Sequence, residues 1–142
     1  MGNIYAERIK SLRELMKENG WDAVLVGASD PHCSEYPAAR WKQVEWLTGF
    51  TGEAASVVIT HNHAGLWTDT RYFIQATAQL EGTGVELHKL RVPDAVPIGS
   101  EVEPVRARCL LFLMVCAGVP RRFWTSTPHF PEPLLPKNSA MK

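Results

Sequence analysis

The stretch Ala23-Val24-Leu25-Val26-Gly27 contains no polar side chain. A strand with one wet face alternates apolar and polar residues, so an unbroken apolar run of this length is the pattern of a strand covered on both faces. It predicts a sheet sandwiched between helices. Before it, Tyr5, Ile9, Leu12 and Met16 recur at i, i+4, i+7 and i+11 with Glu and Lys on the other face, and Asn19-Gly20 supplies a stop. This is an amphipathic helix leading into the strand.

After the run, residues 28–42 form a polar, proline-containing loop. Val44 to Leu47 is expected as a strand, ended by the turn signal Gly49-Phe50-Thr51-Gly52. Ser56 to Thr60 and Ala64 to Thr68 make a hairpin across His61-Asn62-His63. Asp69 and Thr70 are suitable N-caps for a helix with Phe73, Ala76, Thr77 and Leu80 on one side, stopped at Gly82 and followed by a strand from Val85 to Leu90. The order α, β, loop, β, β, β, α, β predicts an α/β domain, a mixed sheet with helices on both faces.

The 142 residues allow one domain with a usable core. Lys plus Arg and Asp plus Glu balance at 15 each without clustering, which argues against a nucleic-acid or anionic membrane partner. The most apolar run, Cys109 to Val119, is about half the ~20 residues a bilayer helix needs. Three irregularly spaced cysteines and a charged N-terminus, MGNIYAERIK, point to a cytoplasmic protein with reduced thiols.

From Gly99 onward the chain holds six of its ten prolines and little periodicity. The expected division is therefore 1–98 as the folded domain and 99–142 as a divergent tail. That tail has three readings: a genuine divergent end, an internally deleted remnant, or out-of-frame translation, with the last two preferred. Arg106 to Leu113 is compatible with a strand or a helix, and Pro128 to Pro136 is expected to be extended or disordered.

Three stretches in order carry a family likeness: Asp30-Pro31-His32-Cys33-Ser34-Glu35-Tyr36, Trp46-Leu47-Thr48-Gly49-Phe50-Thr51-Gly52, and Leu66-Trp67-Thr68-Asp69-Thr70-Arg71-Tyr72-Phe73. With Trp21-Asp22-Ala23, Arg40-Trp41, Gln75-Ala76 and Gln79-Leu80 they resemble the first domain of the aminopeptidase P family, relatives of prolidase and creatinase, over about Tyr5 to Ile98. Departures are Glu53-Ala54, where the family commonly has a small pair, and Thr70, where it often has Gly or Ser.

The resemblance implies a creatinase N-terminal, ribonuclease H-like fold belonging to a Xaa-Pro aminopeptidase. In that family a later pita-bread domain holds two divalent metals, usually manganese, through two Asp, one His and two Glu. No such set is found in this chain, so no catalytic residue, metal or cofactor is expected here and the chain is expected to be inactive alone. Its implied partners are the catalytic domain, further copies in a homo-oligomer, and the peptide substrate. Arg71 and Trp46 are the implied substrate or interface residues, with Tyr72, His32 and Glu35 beside them in the same motifs.

Each tempting group also has an ordinary structural role. His61 and His63 resemble a ligand pair, but polar residues are expected at a hairpin turn, and that reading is preferred. His32 with Glu35 is read as ordering its loop rather than as an acid–base pair. Cys33, next to His32 in an extended loop, is not expected to be a nucleophile. Asp69 is either a helix cap or a ligand group at a strand end. Rival functions are an independent peptide-binding or oligomerisation module and, from the element order alone, a ribonuclease H-like nuclease, which the scarcity of strand carboxylates disfavours.

Overall fold

The computed structural model describes residues 3–30 and 32–98, together with the backbone of 109–112. Expectations for 128–136 lie outside the described residues.

Helix α1 (Ile4–Asn19) starts where the Asn3 carboxamide accepts the Tyr5 N–H and ends at Gly20, which adopts the left-handed φ of 67°. Its buried stripe is Ile9, Leu12 and Met16. Strand β1 (Ala23–Gly27) follows directly. Then come helix α2 (Gln43–Thr48), strands β2 (Ala55–Thr60) and β3 (Ala64–Thr68), helix α3 (Phe73–Gln79) and strand β4 (Glu86–Lys89). The strand expectations for 23–27, 56–60, 64–68 and 85–90 agree with these elements.

Val44 to Leu47 is the exception, because it is helical. Gln43, Val44, Leu47 and Thr48 are buried, a spacing that places them on one helical stripe, and Gly49 closes the helix in the left-handed region at φ 80°. The Gly49 N–H donates to the Glu45 carbonyl at 2.8 Å. A β-rich tetrapeptide has been turned into helix by the apolar surface of α1 and β1 against which it packs.

The strand order is β4-β3-β2-β1-β5, where β5 is Cys109–Phe112. β1, β2 and β3 pair antiparallel, while β4 runs parallel to β3 and β5 parallel to β1. The segment left open between strand and helix, 106 to 113, thus contributes a strand beside β1. The sheet is mixed and the domain is α/β, as expected.

Pairing register separates the two faces of the sheet. Val24 stands opposite Ile59, and Val26 opposite Val57, which is itself opposite Leu66. These residues share one core with Ile9, Leu12 and Met16 of α1, Val44 and Leu47 of α2, and Ala76 of α3. The three described α-helices therefore all cover this face, so among the described residues the helix layer expected on the second face is not seen. On the other face Leu25 lies opposite Val58 and Trp67 opposite His88. Val58 and Trp67 are buried too, which is why β1 carries apolar residues in both orientations. The Trp67 indole N–H donates to the Val96 carbonyl at 3.0 Å and ties the segment after β4 across that face.

Candidate functional site around the turn at 50–53

At the end of β1 the chain leaves the sheet and is turned by Asp30. This buried carboxylate accepts the His32 N–H at 3.1 Å and the Ser34 N–H at 2.8 Å, and the Asp30 carbonyl accepts the Cys33 N–H at 3.0 Å. The Ser34 N–H is the main influence holding the Asp30 carboxyl below its usual range, against the opposing effect of desolvation. Loop order thus comes from Asp30 rather than from a His32–Glu35 pair. Cys33 sits at φ 51°, so the loop is turned there and not extended. His32, Cys33 and Glu35 are all exposed.

Glu35, Tyr36 and Pro37 form one wall of an open cleft of about 160 Å³. Ala28, Lys42 just before α2, Val44 and Glu45 within it, and the turn from Phe50 to Glu53 line the rest. Lys42 and Glu45 approach to 3.6 Å. Three carboxylates and one ammonium make the lining acidic. The volume is below the roughly 300–1,000 Å³ of small-molecule sites, so the cleft suits a side chain or chain terminus better than a cofactor.

Arg71 and Tyr72 adjoin the far side of the same turn. Asp69, just beyond β3, accepts the Arg71 N–H at 3.1 Å and so caps the one-turn 3₁₀ helix Thr70–Tyr72. It also takes the Arg71 guanidinium through Nε at 3.0 Å and Nη2 at 2.7 Å, leaving the Nη1 edge clear of the carboxylate. Asp69 is therefore both a cap and an orienting group. The hydrogen bond from Arg71 is the first cause of its lowered carboxyl pKa, and the same bond raises that of Arg71. Tyr72 meets Phe50 edge-on, with centroids 5.9 Å apart, and packs against Gly52. Glu53 lies near enough to Arg71 to favour its charge.

Trp46 stands apart from the cleft lining. The Arg8 guanidinium lies 4.5 Å from its ring centroid and Arg8 Nη1 donates to its carbonyl. Burial is what lowers the Arg8 pKa. Of the five expected site residues, Glu35, Tyr72 and Arg71 thus gather about the turn at 50–53, His32 sits out on the loop, and Trp46 belongs to an arginine–indole stack with α1. Neither Asp30 nor the Arg8 partnership was anticipated from sequence. An Asx-type turn at Asp30-Pro31 was a usable signal for the first, whereas the second pairs residues 38 apart in sequence and has no local signal.

His63 meets Glu86 and His88 of β4, three residues with potential ligand atoms all within 4.8 Å of one another. Among the described residues this is the one such group, and it contains a single carboxylate. Two Asp, one His and two Glu do not assemble there, so these three residues do not fit the dinuclear ligand set.

A profile of the Creatinase/Prolidase N-terminal domain matches residues 8–107. The chain belongs to this family. The match runs past Ile98, where the quoted motifs fade. A probable Xaa-Pro aminopeptidase P of Botryotinia fuckeliana is 48% identical over 75 residues, covering 53% of this chain and 12% of that protein. Xaa-Pro aminopeptidase 1 of Dictyostelium discoideum is 40% identical over 82 residues, 57% of this chain and 13% of that protein. The X-prolyl aminopeptidase of Caenorhabditis elegans, described as a cytosolic enzyme with a di-nuclear active site, superposes with a TM-score of 0.62 at 36% identity, over 66% of this chain and 17% of that one. The chain is a creatinase/prolidase N-terminal domain of the kind carried by Xaa-Pro aminopeptidases, and it spans a small fraction of those relatives. Among the described residues no helix is long and apolar enough to cross a membrane.

Proposed function

We propose that this chain acts as the non-catalytic first domain of a cytosolic, metal-dependent Xaa-Pro aminopeptidase. It packs on the catalytic domain that carries the two divalent metals, manganese by family resemblance, and aids substrate binding and oligomer formation. The observations that support this most are the match to the Creatinase/Prolidase N-terminal domain and the likeness in fold and sequence to 17% of the nematode enzyme. The surface that serves the neighbouring active site is the one around residues 50–53. Arg71, aimed by Asp69, offers a planar guanidinium to a peptide carboxylate. Tyr72 and Glu35 flank that turn, while Trp46, stacked on Arg8 apart from the cleft, and His32 on its loop offer a second contact area, the indole walling a subsite there.

The test uses a full-length aminopeptidase that carries this domain. Arg71→Ala should raise KM for an Ala-Pro peptide about tenfold with kcat largely kept, as expected for loss of a charge-assisted contact. Trp46→Ala should shift the oligomer distribution or KM. Unchanged cleavage and assembly in both variants would sink the proposal, and so would cleavage of that peptide by the purified 142-residue chain.

A further inference from the structure

His63 lies one residue before β3, and its side chain continues the alternation that also places Gly65 and Trp67 on the second face of the sheet. On the neighbouring parallel strand β4, Glu86 is opposite Gly65 and His88 opposite Trp67. The five positions thus form a compact block, with a glycine at its centre. A Cβ on Gly65 would come within 2.9 Å of His88 Cδ2 and within 2.6 and 2.7 Å of the Trp67 ring. The glycine leaves the space that the His88 imidazole enters.

His88 is held firmly in that space. Its ring stacks on Trp67 with centroids 4.3 Å apart and planes 15° from parallel, and the residue is 7% exposed. The His63 ring stands 5.6 Å away, and His63 Nε2 is 3.0 Å from Glu86 Oε2. His63 and Glu86 are partly open to solvent, at 28% and 65% side-chain exposure. One buried imidazole therefore faces a solvent-accessible imidazole and a solvent-accessible carboxylate.

We propose that His63, Glu86 and His88 bind one divalent transition-metal ion of the zinc class. Two imidazole nitrogens and one carboxylate oxygen are a borderline donor set that suits Zn²⁺ and its neighbours, whereas Ca²⁺ and Mg²⁺ ask for more oxygens. Zinc–nitrogen bonds of about 2.0–2.1 Å put tetrahedral ligands about 3.3 Å apart. The His63–Glu86 separation already meets this, and the widest spacing, within 4.8 Å, closes by small rotations of the two accessible side chains. The ion replaces the His63–Glu86 hydrogen bond, and water takes the fourth position from the open side.

The full chain, cleared of metal with a chelator, is titrated with Zn²⁺ by calorimetry and with Co²⁺ by visible absorption. One ion per chain is expected, with Co²⁺ bands of a four-coordinate nitrogen–oxygen site. Zn²⁺ should also shift the ¹⁵N resonances of the His63 and His88 rings, which reads His88 without disturbing its packing. His63→Ala and Glu86→Gln, whose side chains reach solvent, should keep the wild-type circular dichroism and weaken binding by more than about 100-fold and about 10-fold, first-ligand losses at or above those of supporting groups. A chain with its three cysteines alkylated should bind as the untreated chain does. The proposal is overturned by no binding to wild type, by an unchanged isotherm in His63→Ala, or by loss of binding on alkylation.

Discussion

Replacing Gly52 by Ala tests whether the turn at 50–53 is packed as tightly as its geometry indicates. The added Cβ would lie 2.2 Å from Phe50 Cζ, 2.7 Å from Phe50 Cε1 and 2.9 Å from Tyr72 Cδ1. Carbon atoms rest about 3.5–4.0 Å apart, so the Phe50 ring must retreat by roughly 1.5 Å. Phe50 is 1% exposed and belongs to the main core, so the movement has to be absorbed by Val44, Leu47 and their neighbours. Overpacking of this kind costs about 1–3 kcal/mol, and moving a whole buried ring belongs in the upper half of that range. The smaller entropy of an unfolded alanine chain returns about 0.4–1 kcal/mol. A net loss of about 1–2.6 kcal/mol remains, which for a chain of this length lowers Tm by roughly 4–10 °C. Gly27→Ala is the matched control, because nothing lies within 4 Å of its Cβ position and its φ is not left-handed. It should stay within about 0.5 kcal/mol of wild type. Urea and thermal unfolding followed by circular dichroism measure both. Equal midpoints for the two variants would refute the reasoning, since they would mean that Phe50 and Tyr72 yield without cost.

Two further outcomes are expected. Trp67→Ala removes a fully buried indole and its hydrogen bond to Val96, so it should cost about 3–5 kcal/mol and speed proteolysis between Leu90 and Ile98; a Tm within 2 °C of wild type, on the order of 0.5 kcal/mol, would contradict that packing. Asp30 has its carboxyl pKa lowered in the folded chain, first by the Ser34 N–H, so its contribution is fully present above the unfolded value of about 3.9 and is lost as pH falls through the lower folded value. Asp30→Asn, which keeps an acceptor but cannot titrate, should flatten the acid limb of a Tm-against-pH curve, and an unaltered limb would assign the acid sensitivity to other carboxylates.

Much of the fold was legible because the relevant signals are local. The unbroken apolar run at 23–27 and the hairpin across 61–63 each announce themselves within a few residues, and both formed. Val44 to Leu47 did not, because four residues with apolar ends fit a two-residue and a 3.6-residue period about equally well. Burial of Gln43 and Thr48 decides for helix, and that depends on α1 and β1 being in place. The site divides in the same way. The link between Asp69 and Arg71 spans two residues and is visible as a strand-end cap, whereas His63, Glu86 and His88 meet because β3 and β4 lie side by side in one register. Sequence spacing alone offers no reason to join a turn histidine to a strand 23 residues later.

The motifs that carry the family likeness consist largely of residues that the fold itself requires. Gly49 caps α2 with a left-handed φ, and a Cβ there would meet the Tyr5 ring at 2.8 Å. Thr48 donates its hydroxyl to the Val44 carbonyl and accepts the Phe50 N–H, which fixes the exit from α2. Thr51 accepts from Gln75 and Gln79, joining the turn to α3 and accounting for the two glutamines that accompany the motif. Likeness at these positions transmits an architecture and would persist in a domain with any function. Arg71 differs from them. It is exposed, its described partners are Asp69, Tyr72 and Glu53 on the same surface, and an ion pair whose cation stands in solvent adds little to stability in most settings. A guanidinium oriented by a carboxylate beside an open cleft is therefore the feature on which the proposed part of this domain in substrate binding rests.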